Sequence, residues 1–356
     1  MSGATSTPAV PSSEPSRQVG ACVRLRSGFR IGSIEPANPV VLAPMSGVSD
    51  LPFRRLAARM GAGLVVSEMV ASRELAAERR DVVRKAAGRE LDPFVIQLVG
   101  HDPDWMREGA RIAEGLGAKI IDINMGCPSR EVTGRLSGSA LMRDLDHAEK
   151  IITAVIAAVR VPVTLKMRLG WDGTSLNAPH LARRAEAAGV KLLTVHGRTR
   201  CQFFKGVADW SQVKAVVDAV AIPVVVNGDI TSAETAREAL AQSGAAGVMI
   251  GRGAYGAPWL PGQIADALAG RPLGVVAMSE RALIASEHIE EMLSHYGAAL
   301  GLKNARKHVG WYLETAGTSG DELKAWRREL CTQDDPRALL AGLKTFFATR
   351  DVGAAA

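Results

Sequence analysis

Apolar and polar positions along this chain fall into a repeating alternation. Short runs rich in Val, Ile and Leu occur at residues 40–43, 64–67, 94–99, 119–123, 163–166, 192–195, 224–226 and 247–250. They are too short for helices and rich in β-branched residues, so they predict eight strands covered on both faces. Between them, apolar residues recur at helical spacing over 51–60, 107–116, 148–159, 178–188, 211–220 and 233–242. Strand alternating with helix predicts a parallel sheet, because parallel strands need crossover connections. Eight such units predict an α/β fold of the (β/α)8 TIM barrel type rather than a doubly wound sheet.

The punctuation agrees. Asp209-Trp210-Ser211 and Thr231-Ser232 offer helix N-caps. Gly61, Gly117, Gly189 and Gly244 close helices just before the next strand. Ahead of the first strand, residues 29–40 predict a hairpin with its turn near Glu35-Pro36-Ala37-Asn38. Residues 1–25 are rich in small polar residues and proline, lack the apolar core of a signal peptide, and predict a disordered tail. The barrel is expected over 26–268. From 269 to 350 the strand pattern stops. About four helical stretches, with breaks at Gly297, Gly301, Gly317 and Gly320, predict a small all-helical domain.

Composition narrows the class. A hydrophobic share of 47% gives ample core for 356 residues. The net charge of +6 permits a polyanionic partner without requiring one. From residue 271 onward, eleven Lys and Arg balance eleven Asp and Glu. The cations are nonetheless grouped, Lys303, Arg306 and Lys307 beside His308, then Lys324, Arg327 and Arg328, as solvated helix faces or as a phosphate-contacting face. The four cysteines are scattered without a CxxC pair, so neither a metal site nor a disulfide framework is expected. No apolar run is long enough to span a membrane. A monomer in the reducing cytoplasm is expected.

In a (β/α)8 barrel, chemistry gathers at the C-terminal ends of the strands. Here every strand end is polar or glycine-rich. The first leads into Pro44-Met45-Ser46 and the second into Glu68-Met69. The third carries Gln97, an amide within an apolar run that wants both a donor and an acceptor, as the edge of a heterocyclic ring supplies. The fifth bears Lys166 and Arg168. Lys166 suits either a Schiff base, which needs a depressed pKa, or a fixed cation beside an anionic cofactor. The sixth ends in His196-Gly197-Arg198, and the seventh in Asn227-Gly228-Asp229. The eighth ends in Gly251-Arg252-Gly253. The last matches GxGxxG, but it comes after seven strand-helix units and lacks the later acidic residue of a dinucleotide fold. It fits the phosphate loop of a barrel, with a phosphate-bearing flavin as occupant.

The fourth strand leads through Asn124 to Cys127, between the breakers Gly126 and Pro128. A nucleophilic cysteine needs a lowered pKa and a base, and neither Asn124 nor Arg130 is one. A general acid need only stay protonated, as an ordinary thiol pKa of about 8.5 allows. The following run, Ser137-Gly138-Ser139-Ala140, reads as a flexible loop giving a large substrate access. Arg130 and Arg135 are possible phosphate contacts.

The segments LAPMSGVSDLPFRRL, NMGCPSREVTGRLSGSALM, LKMRLGWD, VHGRTRCQFFKGVADW, VVNGDI and GRGAYGAPW occur in this order. Together they resemble the tRNA-dihydrouridine synthases, in particular the bacterial group that also carries a nitrogen-regulation name. The resemblance covers about residues 30–345. It implies a barrel binding flavin mononucleotide (FMN), NADPH or NADH as reductant, and a helical domain that grips tRNA. It implies Cys127 as the general acid. Pro44, Met45, Ser46, Gln97, Lys166 and His196 would surround the flavin ring. Asn227, Gly228, Asp229, Gly251 and Arg252 would hold its ribityl phosphate. Asn124, Arg168 and Arg198 would touch the uracil. The readings left standing beside this one are a barrel reducing a free pyrimidine, as dihydroorotate dehydrogenases do, a Schiff-base aldolase using Lys166, and a non-catalytic RNA-binding protein.

Overall fold

The computed structural model describes residues 28–351. The tail expected over 1–25 lies outside the described residues. Nine parallel strands form one sheet: β1 (Val40–Leu42), β2 (Leu64–Val65), β3 (Met69–Ala71), β4 (Val95–Val99), β5 (Ile120–Met125), β6 (Val163–Arg168), β7 (Leu192–His196), β8 (Val224–Asn227) and β9 (Gly247–Ile250). The order β2-β1-β9-β8-β7-β6-β5-β4-β3 begins and ends on neighbouring pieces of chain. The Ser67 N–H, in the gap between β2 and β3, bonds to the Val95 carbonyl at 3.2 Å. The second barrel strand is therefore one segment broken at its middle, and the sheet closes through it. The expected single strand over 64–67 is corrected accordingly. The break turns Glu68 inward, where its carboxylate accepts the Gly47 N–H at 2.5 Å.

The barrel interior is layered. Phe29 and Ile31 plug the N-terminal end against Val41, Leu64, Val95 and Ile120. The opposite parity on each strand packs outward under the helices in a separate, larger core. Higher up, the inward positions turn polar. Register pairs Gln97 with Asp122 and Asp122 with Thr164. It also pairs Asn124 with Lys166, and His196 with Asn227. The apolar alternation that fixes register thus also delivers the polar residues to one end.

The helices follow the sequence closely, with earlier starts where a cap was missed. Asp102 caps the helix Pro103–Gly115 through its carboxylate, and Asp144 caps Leu145–Ile156. The N-terminal hairpin is tighter than expected. Ile31 and Ile34 exchange backbone hydrogen bonds of 2.8 and 3.1 Å, so the turn lies at Gly32-Ser33 rather than at residues 35–38. Gly32 takes φ +61°, the conformation that such a two-residue turn requires at its first position.

Residues beyond 269 form four helices, Met278–Tyr296, Ala298–Thr315, Gly320–Leu330 and Pro336–Asp351. Their core includes Leu56 and Trp259 of the barrel, so the two units share one apolar seam. Gly301, expected as a break, lies inside a helix, where a Cβ would come within 2.9 Å of Leu293 Cα. It is a close-packing glycine. The grouped cations do not form one open face. Arg306 pairs with Asp334, Lys324 with Asp321 and Arg327 with Glu314, while His308 is buried.

Phe53, fully buried on the helix Leu51–Arg59, packs its ring 5.5 Å from His288 and 5.7 Å from His308. Phe53→Ala is expected to cost about 3–5 kcal/mol, the usual toll of emptying a packed aromatic site. Urea denaturation would show it as a lower midpoint. An unchanged midpoint would mean that the seam does not couple the two units.

Candidate active site

One cavity of about 1390 Å³ opens at the C-terminal end of the barrel. All fifteen residues singled out from the sequence line it: Pro44, Met45, Ser46, Gln97, Asn124, Cys127, Lys166, Arg168, His196, Arg198, Asn227, Gly228, Asp229, Gly251 and Arg252. What each one does there differs from residue to residue.

Cys127 lies just beyond β5 and is half-buried. Both of its backbone polar groups are held. Its N–H donates to Asn124 Oδ1 at 2.9 Å. Its carbonyl accepts from the Ser139 N–H at 3.1 Å and from Ser139 Oγ at 2.8 Å. The glycine-serine run is therefore no flexible loop. It forms a 3-10 turn, Gly138–Arg143, whose first five residues are buried. Gly138 adopts φ +60°, and a Cβ there would meet Cys127 O at 2.9 Å. A small residue is required because the two backbones touch. Burial pushes the Cys127 thiol pKa up, outweighing the pull of Arg168 and Lys166. The thiol stays protonated at neutral pH.

Lys166 is half-buried on β6, with Nζ donating to Asn227 Oδ1 at 3.1 Å. Burial and the nearby Arg168 guanidinium lower its pKa to about 8. His196 is held well below the ordinary imidazole range by burial and by the surrounding cations. It is neutral. Its Nε2 lies 3.2 Å from Arg198 Nη1, and since a guanidinium only donates, Nε2 accepts and the ring proton sits on Nδ1. Gln97 donates from Nε2 to Asp122 at 2.6 Å and accepts from Asn124 at 2.7 Å.

The two arginines expected at the substrate are bound largely to the protein. Both are only 1% exposed. Arg198 donates to the carbonyls of Lys205 and Gly206 and to Asp229, besides His196. All three of its nitrogens are engaged, so it braces the site, with one Nη1 hydrogen left beyond these bonds. Arg168 donates from Nε to Gly126 O and from Nη1 to the carbonyls of Thr199 and Phe203, each at 2.8 Å. It ties the cysteine loop to the loop after β7. Its Nη2 makes no hydrogen bond within the described residues.

The loops after β8 and β9 face each other. Gly228 has φ +119°, and a Cβ there would strike Ala208 Cβ at 2.7 Å and His196 at 2.9 Å. A Cβ on Gly253 would strike Ile230 O at 2.6 Å. Asp229 accepts from Arg198, Arg252 and the Ala208 N–H, so its carboxylate orients arginines instead of approaching a phosphate. Arg252 itself is 52% exposed.

The family model described as dihydrouridine synthase matches residues 41–349. The chain belongs to the dihydrouridine synthase family. It is 55% identical over 329 residues to a probable tRNA-dihydrouridine synthase of Rhodobacter capsulatus, covering 90% of this chain and 98% of that one. It is 43% identical over 326 residues to the tRNA-dihydrouridine synthase B of Pseudomonas putida, covering 91% and 97%. Among solved structures, a 2-naphthoyl-CoA reductase complex superposes with a TM-score of 0.55 at 14% identity, covering 70% of this chain and 52% of that one. That likeness is one of fold, and it agrees with the barrel. Like its relatives, this chain is an oxidoreductase of the dihydrouridine synthase family.

Among the described residues no helix is long and apolar enough to cross a membrane. Asp122 escaped the sequence reading, although an acid within the apolar run 119–123 was its signal. Glu68 was read as the second strand end and Ser139 as part of the run after Cys127, both without the bonds they make here.

Lys166 has a measurable cost. Its pKa falls from 10.5 unfolded to about 8 folded, so the unfolded chain binds more protons between those values. Stability should rise with pH across that window, and the full cost is present below pH about 8. Lys166→Met is expected to stabilise the flavin-free protein at pH 7 by about 2 kcal/mol, with the gain fading toward pH about 10. Urea denaturation at the two pH values would check it. A destabilised variant at pH 7 would overturn the assignment.

Proposed function

We propose that the protein reduces the C5–C6 double bond of uridines in tRNA, using a bound FMN and NADPH or NADH as the electron source. The observation that carries this reading is the placement of a protonated, doubly held cysteine close to a lysine-asparagine pair at the mouth of one large cavity. The cavity has room for a flavin and a nucleotide together. The donor set also fits a flavin. Lys166 offers a cation to the polar edge of the ring, Gln97 a further amide hydrogen, and Arg252 with the glycine backbones of both phosphate-side loops an anion site. Bound there, a reduced flavin supplies the hydride that C6 of the uracil accepts.

The chain's own residues do the rest. A stacked base is out of reach of any barrel mouth, so the uridine must be swung out of the tRNA. Cys127 would deliver its proton to C5. Its raised pKa keeps the proton available until charge builds on the ring. Arg168 lies close enough to Lys166 to lower its affinity for protons, both cations pull on the Cys127 proton, and this positive field would stabilise charge on the uracil carbonyls. His196 is neutral and acts as a hydrogen-bond donor through Nδ1. The helical unit over 269–350 grips the tRNA body, with exposed Lys303 and Arg328 suited to phosphates.

Cys127→Ala is expected to give a yellow protein that still oxidises NADPH with oxygen, while dihydrouridine formation in tRNA falls about a hundredfold or more. Mass-spectrometric mapping of the tRNA would read the product. Undiminished dihydrouridine would remove the cysteine from the mechanism. A purified wild-type protein that binds no flavin and leaves tRNA unmodified would overturn the whole reading.

A further inference from the structure

Asp122 is a buried acid that the chemistry above does not use. It is 4% exposed and points from β5 into the barrel, beneath the cavity. Two donors reach it, Thr164 Oγ1 at 2.6 Å and Gln97 Nε2 at 2.6 Å. From Gln97 the hydrogen bonds continue in one line. Asn124 Nδ2 donates to Gln97 Oε1 at 2.7 Å, and Asn124 Oδ1 accepts the N–H of Gly126 at 3.1 Å and of Cys127 at 2.9 Å.

The direction of this line is set from its lower end. Burial raises the Asp122 pKa, while the Thr164 and Gln97 hydrogen bonds and the Lys166 charge hold it down. The carboxylate so held only accepts, so Gln97 turns its NH2 toward Asp122. Its oxygen then faces Asn124, which must answer with its own NH2. Only in that orientation does Asn124 present its oxygen to the cysteine loop. Side-chain amides are nearly symmetric in shape, and nothing steric stops either from turning over. We propose that Asp122 is a positioning residue for Cys127: its carboxylate fixes, through Gln97 and Asn124, the amide oxygen that holds the Cys127 backbone N–H. The inference rests on reading Cys127 as the proton donor. Ser139 secures the carbonyl of the same residue, so its N–H is the side that the line of amides decides.

Asp122→Asn keeps the shape and removes the direction, because an amide can offer NH2 to Gln97 and let both amides turn. With flavin bound, the variant should oxidise NADPH with oxygen as before and keep its KM for tRNA. Its kcat for dihydrouridine should fall about tenfold to a hundredfold, the worth of one or two misdirected buried hydrogen bonds. A cycle with Asn124→Ala decides the route. If Asp122 works through Asn124, the double variant is no slower than Asn124→Ala alone, whereas additive losses overturn the proposal.

The same cycle can be read without flavin or tRNA, as the alkylation rate of Cys127 mapped by mass spectrometry. Asp122→Asn and Asn124→Ala should each speed it, and the pair together should be no faster than Asn124→Ala alone. An unaltered rate in Asp122→Asn overturns the proposal. This arm stands even for a protein that makes no dihydrouridine, a result that would sink the proposed function instead. Asp122 also lies near the Lys166 charge. Action through Lys166 would move the alkaline limb of the kcat–pH profile, and a moved limb overturns the proposal. A lower plateau with its limb unmoved supports it. Should Asp122→Asn lose its flavin, Thr164→Val removes one donor from the carboxylate. A smaller kcat loss that Thr164→Ser restores supports the proposal, and a Thr164→Val enzyme as fast as wild type overturns it.

Discussion

The constraint on which this structure turns is the burial of polar groups inside a closed barrel. A parallel barrel covers both faces of its strands, so every inward polar side chain must find its partners among its neighbours. Asp122, Gln97, Asn124 and Thr164 solve this together, and the solution ends on the backbone of Cys127. Arg168 and Arg198 solve it in another way. Each is almost wholly buried and donates to loop carbonyls from two or more positions. The loops after β5, β7 and β8 are thereby tied to one another. The rim of the cavity is built as one piece and not as eight independent loops.

The same logic explains the electrostatics. Burial, and then the crowding of Arg168, Lys166 and Arg198 around His196, keeps the imidazole neutral, and burial with Arg168 makes the lysine easily deprotonated. Cys127 sits beside this positive field, yet burial outweighs it and the thiol keeps its proton. A cysteine in that balance is poorly suited to nucleophilic attack and well suited to giving a proton away. An anionic ring arriving in the cavity would offset the repulsion among the cations. The site is arranged for a bound anion before one arrives.

The helical unit is joined to the barrel at the point where the chemistry is exposed. Tyr296 donates to Asp50 at 3.0 Å, and Lys307 faces Asp50 and Glu68, the latter bracing the β1 loop at Gly47. Thr315 donates to the Gly256 carbonyl just past the β9 loop. Tyr255 stacks on Trp311 at 3.9 Å between centroids. The two cores meet in an apolar seam around Phe53, Leu56 and Trp259. A substrate gripped by the helical unit would therefore be held in fixed relation to the barrel mouth.

Much of this was written in the chain. The eight-unit alternation determined the barrel, because apolar period and crossover length admit few other folds. Strand-end chemistry determined which residues line the cavity, and all fifteen do, because register in a parallel barrel sends every strand end to the same side. The sequence could not say which of these side chains face a ligand and which hold the frame. Arg168 and Arg198 look alike there; only the path of the loops decides that every nitrogen of Arg198 is engaged while Arg168 Nη2 makes no hydrogen bond within the described residues. Ser139 looked like part of a mobile run, and only its approach to Cys127 across twelve residues makes it a clamp. The break at Ser67-Glu68 was hidden because a strand interrupted by closure keeps its apolar pattern on both sides. Local pattern fixes elements and their polarity; hydrogen-bond partners belong to the tertiary structure, because they join residues that no sequence period relates.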